Sequence, residues 1–524
     1  MSGPAKSYPV RLALLVLSIT VAAPVLDGQR TSASSDSGIS VEASPQVFAT
    51  MCALDAAGFG ADESTLAEMP TRLALRADLL KMQGPAVQAL RQFYHDHELA
   101  DPGETLSRYM AFALVAGPPP DFQFQVDHDL LPPDVLTIDG FREILVSFNQ
   151  EANLSSRWQA IEPEYDRVIA RYESPVSHVV MVCNAYLREI FRAGHGRAFS
   201  VYVEPLVGNR TIFRNNGNHY AIVVGASSQA PVDQIQHAYL HFMLDPLVLQ
   251  YRDDLTKKSA LLDLAARAPR LPVEYRSDFI AFADECLIKS VELRLRNLSP
   301  ANLEAALKDA DQSGFTMVRP LVAQLQKFEK SEPAMTYYFA DLIAGLDVQA
   351  EQKRLQNAVY LPAETTPPRG HGGAPAAQED ELHTWLSQGE RQIALRDVSG
   401  AMATFQKTLQ RYPNQPRAEF GLAVASILSG DEDQAEELFE KLVAAPAASA
   451  SQEAGQKVDP AIVAWSHVYL GRIRDLEEER DLAVNEYKAA LAVDGAPESA
   501  RVAAQRGVDA PYKPAAQGKD NAPQ

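Results

Sequence analysis

A residue pattern that returns at intervals of 34 positions near the C-terminus restricts the fold of this chain more than any other feature. In each copy a small residue is followed four positions later by an aromatic one: Ala401 and Phe405, Ala435 and Phe439, Ala483 and Tyr487. The first two copies stand 34 residues apart. The third follows after 48, one period plus an insertion of 14 that is visible as the Ala/Ser/Gly-rich stretch 447–460. A repeated unit of this length predicts stacked helix pairs.

This pattern resembles the tetratricopeptide repeat, in which a small residue stands where paired helices cross and a Pro or Gly ends the helix. The matching positions are Gly389, Ala401, Phe405 and Pro413, then Ala423, Ala435, Phe439 and Pro446, then Gly471, Ala483, Tyr487 and Ala490. The resemblance implies an α-solenoid at 382–510, with three repeats and a capping helix at 498–508. It also implies a groove for a peptide or partner protein; helices without a binding role are the alternative.

The middle of the chain carries a histidine pair at helical spacing, in the sequence His237-Ala238-Tyr239-Leu240-His241. Residues four apart lie on one face of a helix, so both imidazoles can reach a single ion. Two imidazoles lose their hydration when they are buried, and this cost must be offset by partners for their ring nitrogens. One metal ion can serve as the partner of both. The alternative is that both are core residues whose ring nitrogens bind backbone groups.

A helix predicted over 278–295 offers a third ligand. Glu285 stands among its apolar residues, and Glu292, two turns further along, is the alternative ligand. Glu285 can equally form an intrahelical pair with Lys289, four residues on, which is worth about 0.3 kcal/mol at a surface. The sequence leaves both roles of Glu285 open.

Two β-rich runs, 198–203 and 219–224, precede the histidine helix. They predict strands joined as a long hairpin or meander through the polar segment 208–217. The histidine helix is expected to end at Asp245-Pro246, because proline disfavours helix at the residue before it.

Residues 45–345 resemble the exported gluzincin-type zinc metallopeptidases of bacteria. The H-x-x-x-H helix, the strands before it and the later glutamate-bearing helix carry this resemblance. It implies zinc held by His237, His241 and Glu285, and a sheet whose edge strand pairs with an extended substrate.

The match fails at a position important for catalysis. In the H-E-x-x-H motif the residue after the first histidine is the glutamate that deprotonates water, whereas here it is Ala238. General acid–base catalysis contributes about 10²- to 10⁴-fold in rate. We therefore expect a catalytically impaired scaffold that binds peptides or proteins. An active zinc peptidase with a substitute base is the alternative.

The N-terminus indicates export. Lys6 and Arg11 precede or flank the apolar run 12–23, which is short for a membrane span. We interpret residues 1–33 as a cleaved signal peptide, with an uncleaved anchor as the alternative. The expected location is periplasmic or secreted, with no membrane span after cleavage.

Length and charge set the remaining limits. The 524 residues predict about three units, and a net charge of −20 opposes binding to nucleic acid or anionic membranes. We expect an α+β, mostly helical fold. Its parts are a disordered spacer at 34–46, a zincin-like domain with a small sheet at 47–346, a Pro/Gly/Ala linker at 347–381, the repeats at 382–510 and a disordered tail at 511–524.

Overall fold

The computed structural model describes residues 38–59, 70–99, 101–125, 131–189, 197–362 without 209, 217, 228 and 277, 382–393 in part, 397–444 and 458–513. The predicted signal peptide, most of the predicted linker and most of the predicted tail lie outside these residues. In the described part the chain is mostly helical and has one small sheet. No helix there is long and apolar enough to cross a membrane.

Residues 38–362, which we call the body, contain fifteen of the helices described. They are α1 (Pro45–Ala57), α2 (Pro70–Lys81), α3 (Pro85–His97), α4 (Pro102–Val115), α5 (Pro133–Leu136), α6 (Phe141–Glu151), α7 (Leu154–Leu187), α8 (Val232–Gln250), α9 (Arg252–Thr256), α10 (Leu262–Ala265), α11 (Phe279–Leu295), α12 (Pro300–Ser313), α13 (Val318–Phe328), α14 (Met335–Ala344) and α15 (Val348–Leu355). Helix α1 is apolar and buried along almost its whole length, with α2, α3, α4 and α6 packed around it. A helix that is buried all round marks the centre of a core.

Four strands form the sheet, in the spatial order β1 (Ile39–Glu42), β2 (Ala198–Val203), β4 (His219–Val224) and β3 (Thr211–Asn216). β2 runs parallel to both β1 and β4, whereas β3 runs antiparallel to β4. β3 is therefore an edge strand that pairs only with β4 among the described residues.

Two sequence predictions are wrong in this sheet. The β-rich runs 198–203 and 219–224 pair side by side but in parallel, so they do not form a hairpin with each other. The polar segment between them contains β3, which forms the hairpin with β4 instead. Residues 39–42, expected in the disordered spacer 34–46, form β1, since Val41 is buried and β1 pairs along its whole length with β2.

Helix α8 extends past the predicted stop at Asp245-Pro246 and ends at Gln250. A proline inside a helix cannot donate to the carbonyl four residues earlier, here that of Phe242. The guanidinium of Arg197, next to the start of β2, donates to that carbonyl instead. The helix continues because a side chain satisfies the acceptor that Pro246 leaves free.

The repeats form helix pairs after the body. The described residues of 382–393 are helical, and they are followed by α16 (Val398–Arg411), α17 (Pro416–Ser429), α18 (Glu432–Ala444), α19 (Pro460–Leu476), α20 (Arg480–Ala492) and α21 (Glu498–Asp509). Small residues lie under the aromatic rings as expected: a Cβ on Gly471 would stand 2.5 Å from a ring carbon of Tyr487. The predicted linker is shorter than expected, since α15 occupies residues 348–355.

The first helices of the repeat pairs lie against the body. Asp139 of the body accepts hydrogen bonds from the indole of Trp465, at 2.7 Å, and from the hydroxyl of Ser499. At the other end of the array, Arg252 of the body forms an ion pair with Asp397. The repeats therefore cross the body with contacts at both ends of the array.

We expect Asp139→Ala to lower the free energy of unfolding by about 2 kcal/mol, because it removes the carboxylate that accepts the hydrogen bonds of the Trp465 indole and the Ser499 hydroxyl. Asp139→Asn is the matched control, since its amide oxygen can still accept and should preserve most of the stability. Urea denaturation of the full chain measures both. Equal losses in the two variants would contradict the assigned role of the hydrogen bonds.

Candidate functional site

Asp278 begins helix α11 and also fixes it to the repeats. Its Oδ1 accepts from the backbone N–H groups of Ile280 and Ala281, both at 3.0 Å, which is an N-terminal cap. Its Oδ2 accepts from the side-chain amides of Gln388, at 3.0 Å, and Gln392. The start of the helix that carries Glu285 is thus held from both sides.

Helices α8 and α11 pack side by side, and their polar residues meet at one point. Oε2 of Glu285 lies 3.6 Å from Nε2 of His237 and 3.9 Å from Nε2 of His241. One ligand atom from each of the three residues lies within 4.8 Å of the other two. The structure therefore brings together all three residues that the sequence analysis named.

Glu285 contacts both Lys289 and the histidine pair. Its Oε1 binds the ammonium of Lys289 at 2.9 Å, while its Oε2 faces the histidines. The side chain is only 7% exposed, so the ion pair with Lys289 is not a surface bridge. Burial alone would raise the pKa of Glu285, but Lys289 and the two histidines together hold it below its usual value.

The other ring nitrogen of each histidine also faces a carboxylate. Nδ1 of His237 lies 3.0 Å from Glu292, and Nδ1 of His241 lies 2.9 Å from Asp245 and 3.3 Å from Asp284. Carboxylates in this position fix the orientation and tautomer of metal-binding histidines. Glu292, the alternative ligand, thus stands where it would orient His237.

Charge around the histidines is unbalanced. Four carboxylates contact them, and Lys289 is the one lysine or arginine ion-paired to any of the four within the part of the chain described. Burial, then the proximity of Asp245, raises the pKa of Asp284 to about 7, and its Oδ1 accepts no hydrogen bond from the described residues. Burial would lower the pKa of His241, yet the two aspartates hold it well above its usual value. A cation would relieve this excess of negative charge.

The three inward atoms suit a divalent metal by type and approximate spacing. Two imidazoles and one carboxylate, each oriented by a further group, are a donor set typical of zinc. Bonds of about 2.1 Å in a tetrahedral arrangement separate ligand atoms by roughly 3.4 Å, close to the 3.6 and 3.9 Å observed.

The histidines line a cleft of about 380 Å³, within the usual range for ligand sites. One wall is the edge strand β3, where Phe213 stacks on His241 with ring centroids 5.2 Å apart. Asn215 of β3 also lines the cleft, and both atoms of its buried amide lack hydrogen-bond partners among the described residues. An edge strand beside the histidines can pair with an extended peptide.

The cleft contains residues from regions where the sequence showed no chemistry. Arg108 of α4 and Asp134 of α5 come from the N-terminal helices, and Glu390 and Arg417 come from the repeats. No local motif distinguishes these residues, because the tertiary packing of the repeats on the body brings them together. The repeats therefore form part of the cleft wall.

Glu390 and Arg417 form a two-pronged ion pair, with Nε and Nη2 of the arginine each 2.6 Å from a carboxylate oxygen. Glu390 is 4% exposed, and burial raises its pKa despite the arginine. Bidentate geometry of this kind fixes orientation as well as charge.

Residues 392–454 match the family model of the tetratricopeptide repeat. This match and the helix pairs indicate a protein-interaction scaffold in the C-terminal part of the chain. No curated protein and no solved structure matches the chain. The zinc-peptidase resemblance of the body thus rests on its own residues.

We expect Glu390→Ala to cost about 3 kcal/mol of folding free energy, because it leaves the charge of Arg417 without its closest partner. The double variant Glu390→Leu/Arg417→Met should recover most of that loss, since it removes both charges. Denaturant unfolding of the single and double variants measures the difference. A double variant no more stable than Glu390→Ala would contradict this account of the pair.

Proposed function

We propose that this protein is an exported, zinc-bound scaffold for peptides, built from a zinc-peptidase-like body and a tetratricopeptide array. The convergence of His237, His241 and Glu285 on one point, with a carboxylate behind each histidine, is the observation that carries this proposal. A zinc ion there would supply a Lewis acid able to polarise a peptide carbonyl group.

Peptide binding is supported by the surroundings of these residues. β3 lines the cleft and pairs with β4 alone among the described strands, and the ring of Phe213 offers an apolar surface beside His241. Backbone pairing gives affinity for an extended chain, while side-chain pockets select its sequence.

Impaired catalysis is supported by the histidine helix itself. Ala238, at the position of the general base, is 1% exposed and carries no group that can accept a proton. Glu285 and Glu292 are engaged by Lys289 and His237.

An active peptidase is the second candidate, and one observation favours it. Asp284 lines the cleft, and one of its carboxylate oxygens accepts no hydrogen bond among the described residues. A carboxylate so placed is a candidate for a substitute base.

Export is proposed from Lys6, Arg11 and the apolar run 12–23. The mass of the chain recovered from the cell envelope or medium tests this part, because a cleaved signal removes about 30 residues.

We expect the purified protein to contain one zinc ion per chain and to show no turnover of a mixed peptide library. His241→Ala should lose the zinc, because it removes one of three protein ligands and leaves too few for a stable site. Elemental analysis and a peptidase assay measure the two properties. Turnover that disappears in His241→Ala would establish the peptidase instead, and a wild-type protein without zinc would overturn the metal site.

Glu292→Gln separates the orienting role of Glu292 from that of a ligand. If the Glu292 carboxylate orients His237, its substitution should weaken zinc affinity about 10- to 100-fold without abolishing binding. Glu304→Gln, in the exposed pair with Arg319, is the control and should bind zinc like the wild type. Competition with a chelator measures the affinities, and unchanged affinity in Glu292→Gln would contradict the orienting role.

A further inference from the structure

Arg108 is a buried guanidinium that forms no ion pair with a carboxylate among the residues that the structure describes. It lines the cleft, it is 5% exposed, and its Nε has no hydrogen-bond partner among the described residues. Its one hydrogen bond there runs from Nη1 to the backbone carbonyl of His97, at 3.3 Å. Most of the donors of this side chain therefore have no partner among the described residues.

The neighbouring arginines of the cleft, by contrast, are each paired with a carboxylate. Arg417 is held by Glu390, and Arg214 donates to Asp134 at 2.8 Å. Glu104 also lines the cleft, but within the described residues no carboxylate forms an ion pair with Arg108. Glu390 and Asp134, the two carboxylates that attract Arg108, are thus each paired with another arginine.

An unpaired buried guanidinium is costly, because it loses hydration without gaining a counter-charge. Burial and then the nearby charge of Arg417 lower the pKa of Arg108 to about 10, so it is still charged at neutral pH. A carboxylate entering the cleft would supply the missing partner, and the planar guanidinium can bind it with two parallel hydrogen bonds.

Asn215 supplies a second, independent indication of a ligand. Its side chain is 8% exposed, and neither its amide oxygen nor its amide nitrogen has a partner among the described residues. A peptide group carries one donor and one acceptor, which is the complement of this amide. Both residues line one cleft with the edge strand β3.

We propose that Arg108 binds a carboxylate of an extended peptide that lies along β3, with Asn215 bound to its backbone. The carboxylate comes from the C-terminus of the peptide or from an acidic side chain near it. This inference rests on the proposed peptide-binding function but not on zinc.

Three fluorescein-labelled peptides test the site by fluorescence polarisation with the full chain: penta-alanine with a free C-terminus, the same peptide amidated, and an amidated peptide whose last residue is glutamate. We expect the free acid, the glutamate peptide or both to bind at least tenfold more tightly than amidated penta-alanine. Which of them binds identifies the source of the carboxylate.

Arg108→Met should abolish that preference, because methionine keeps much of the volume and removes the charge. Arg142→Met, a change outside the cleft, should keep the preference. The zinc content of each preparation is measured alongside the affinities: a carboxylate preference in protein without zinc overturns the metal site alone, and zinc without a preference overturns this site alone. Equal affinities for the three peptides, undetectable binding of all three, or a preference that survives in Arg108→Met would overturn the proposal.

Stability distinguishes a ligand-binding arginine from a structural one. Arg108→Met should unfold at the same or a higher urea concentration than the wild type, because no ion pair is broken. A clear fall in the urea midpoint would overturn the proposal by showing that Arg108 serves the fold.

Discussion

Pairing between carboxylates and imidazoles sets the spacing of helices α8 and α11, and the candidate site depends on that spacing. Glu285 and Glu292 approach His237 from α11, and Asp284 approaches His241 from the same helix. A carboxylate loses its hydration on burial, and partners such as these imidazoles offset that free-energy cost. Charge as well as apolar packing therefore holds the two helices in register, and the cleft lies beside this contact.

One side of the repeats contacts the body. The first helices of the pairs contact the body at Asp139 and Asp278 and supply Glu390 and Arg417 to the cleft. This side of the repeats is thus occupied in part by the body of the same chain. A peptide in the cleft would touch the body and the repeats at once, which links the two functions inferred for them.

Local sequence patterns predicted those parts of the candidate site that depend on a single helix. The four-residue spacing of His237 and His241 and the apolar face around Glu285 require only a helix, and both helices form. The edge strand β3 was missed because its polar residues do not alternate with apolar ones. The role of Arg108 depends on docking between regions about 300 residues apart in sequence, which periodicity cannot reveal.

The contact of Arg197 with the carbonyl of Phe242 has a mechanical consequence. Arg197 directly precedes strand β2, and Phe242 lies one residue after the second histidine of the pair, so this hydrogen bond connects the sheet to the helix beside the cleft. Pro246 makes the connection possible by leaving the carbonyl without a helical donor. A movement of the sheet would therefore reach the histidine helix at three places: through Arg197, through the ring of Phe213 on His241, and through the hydrogen bond from Tyr220 to Asp245.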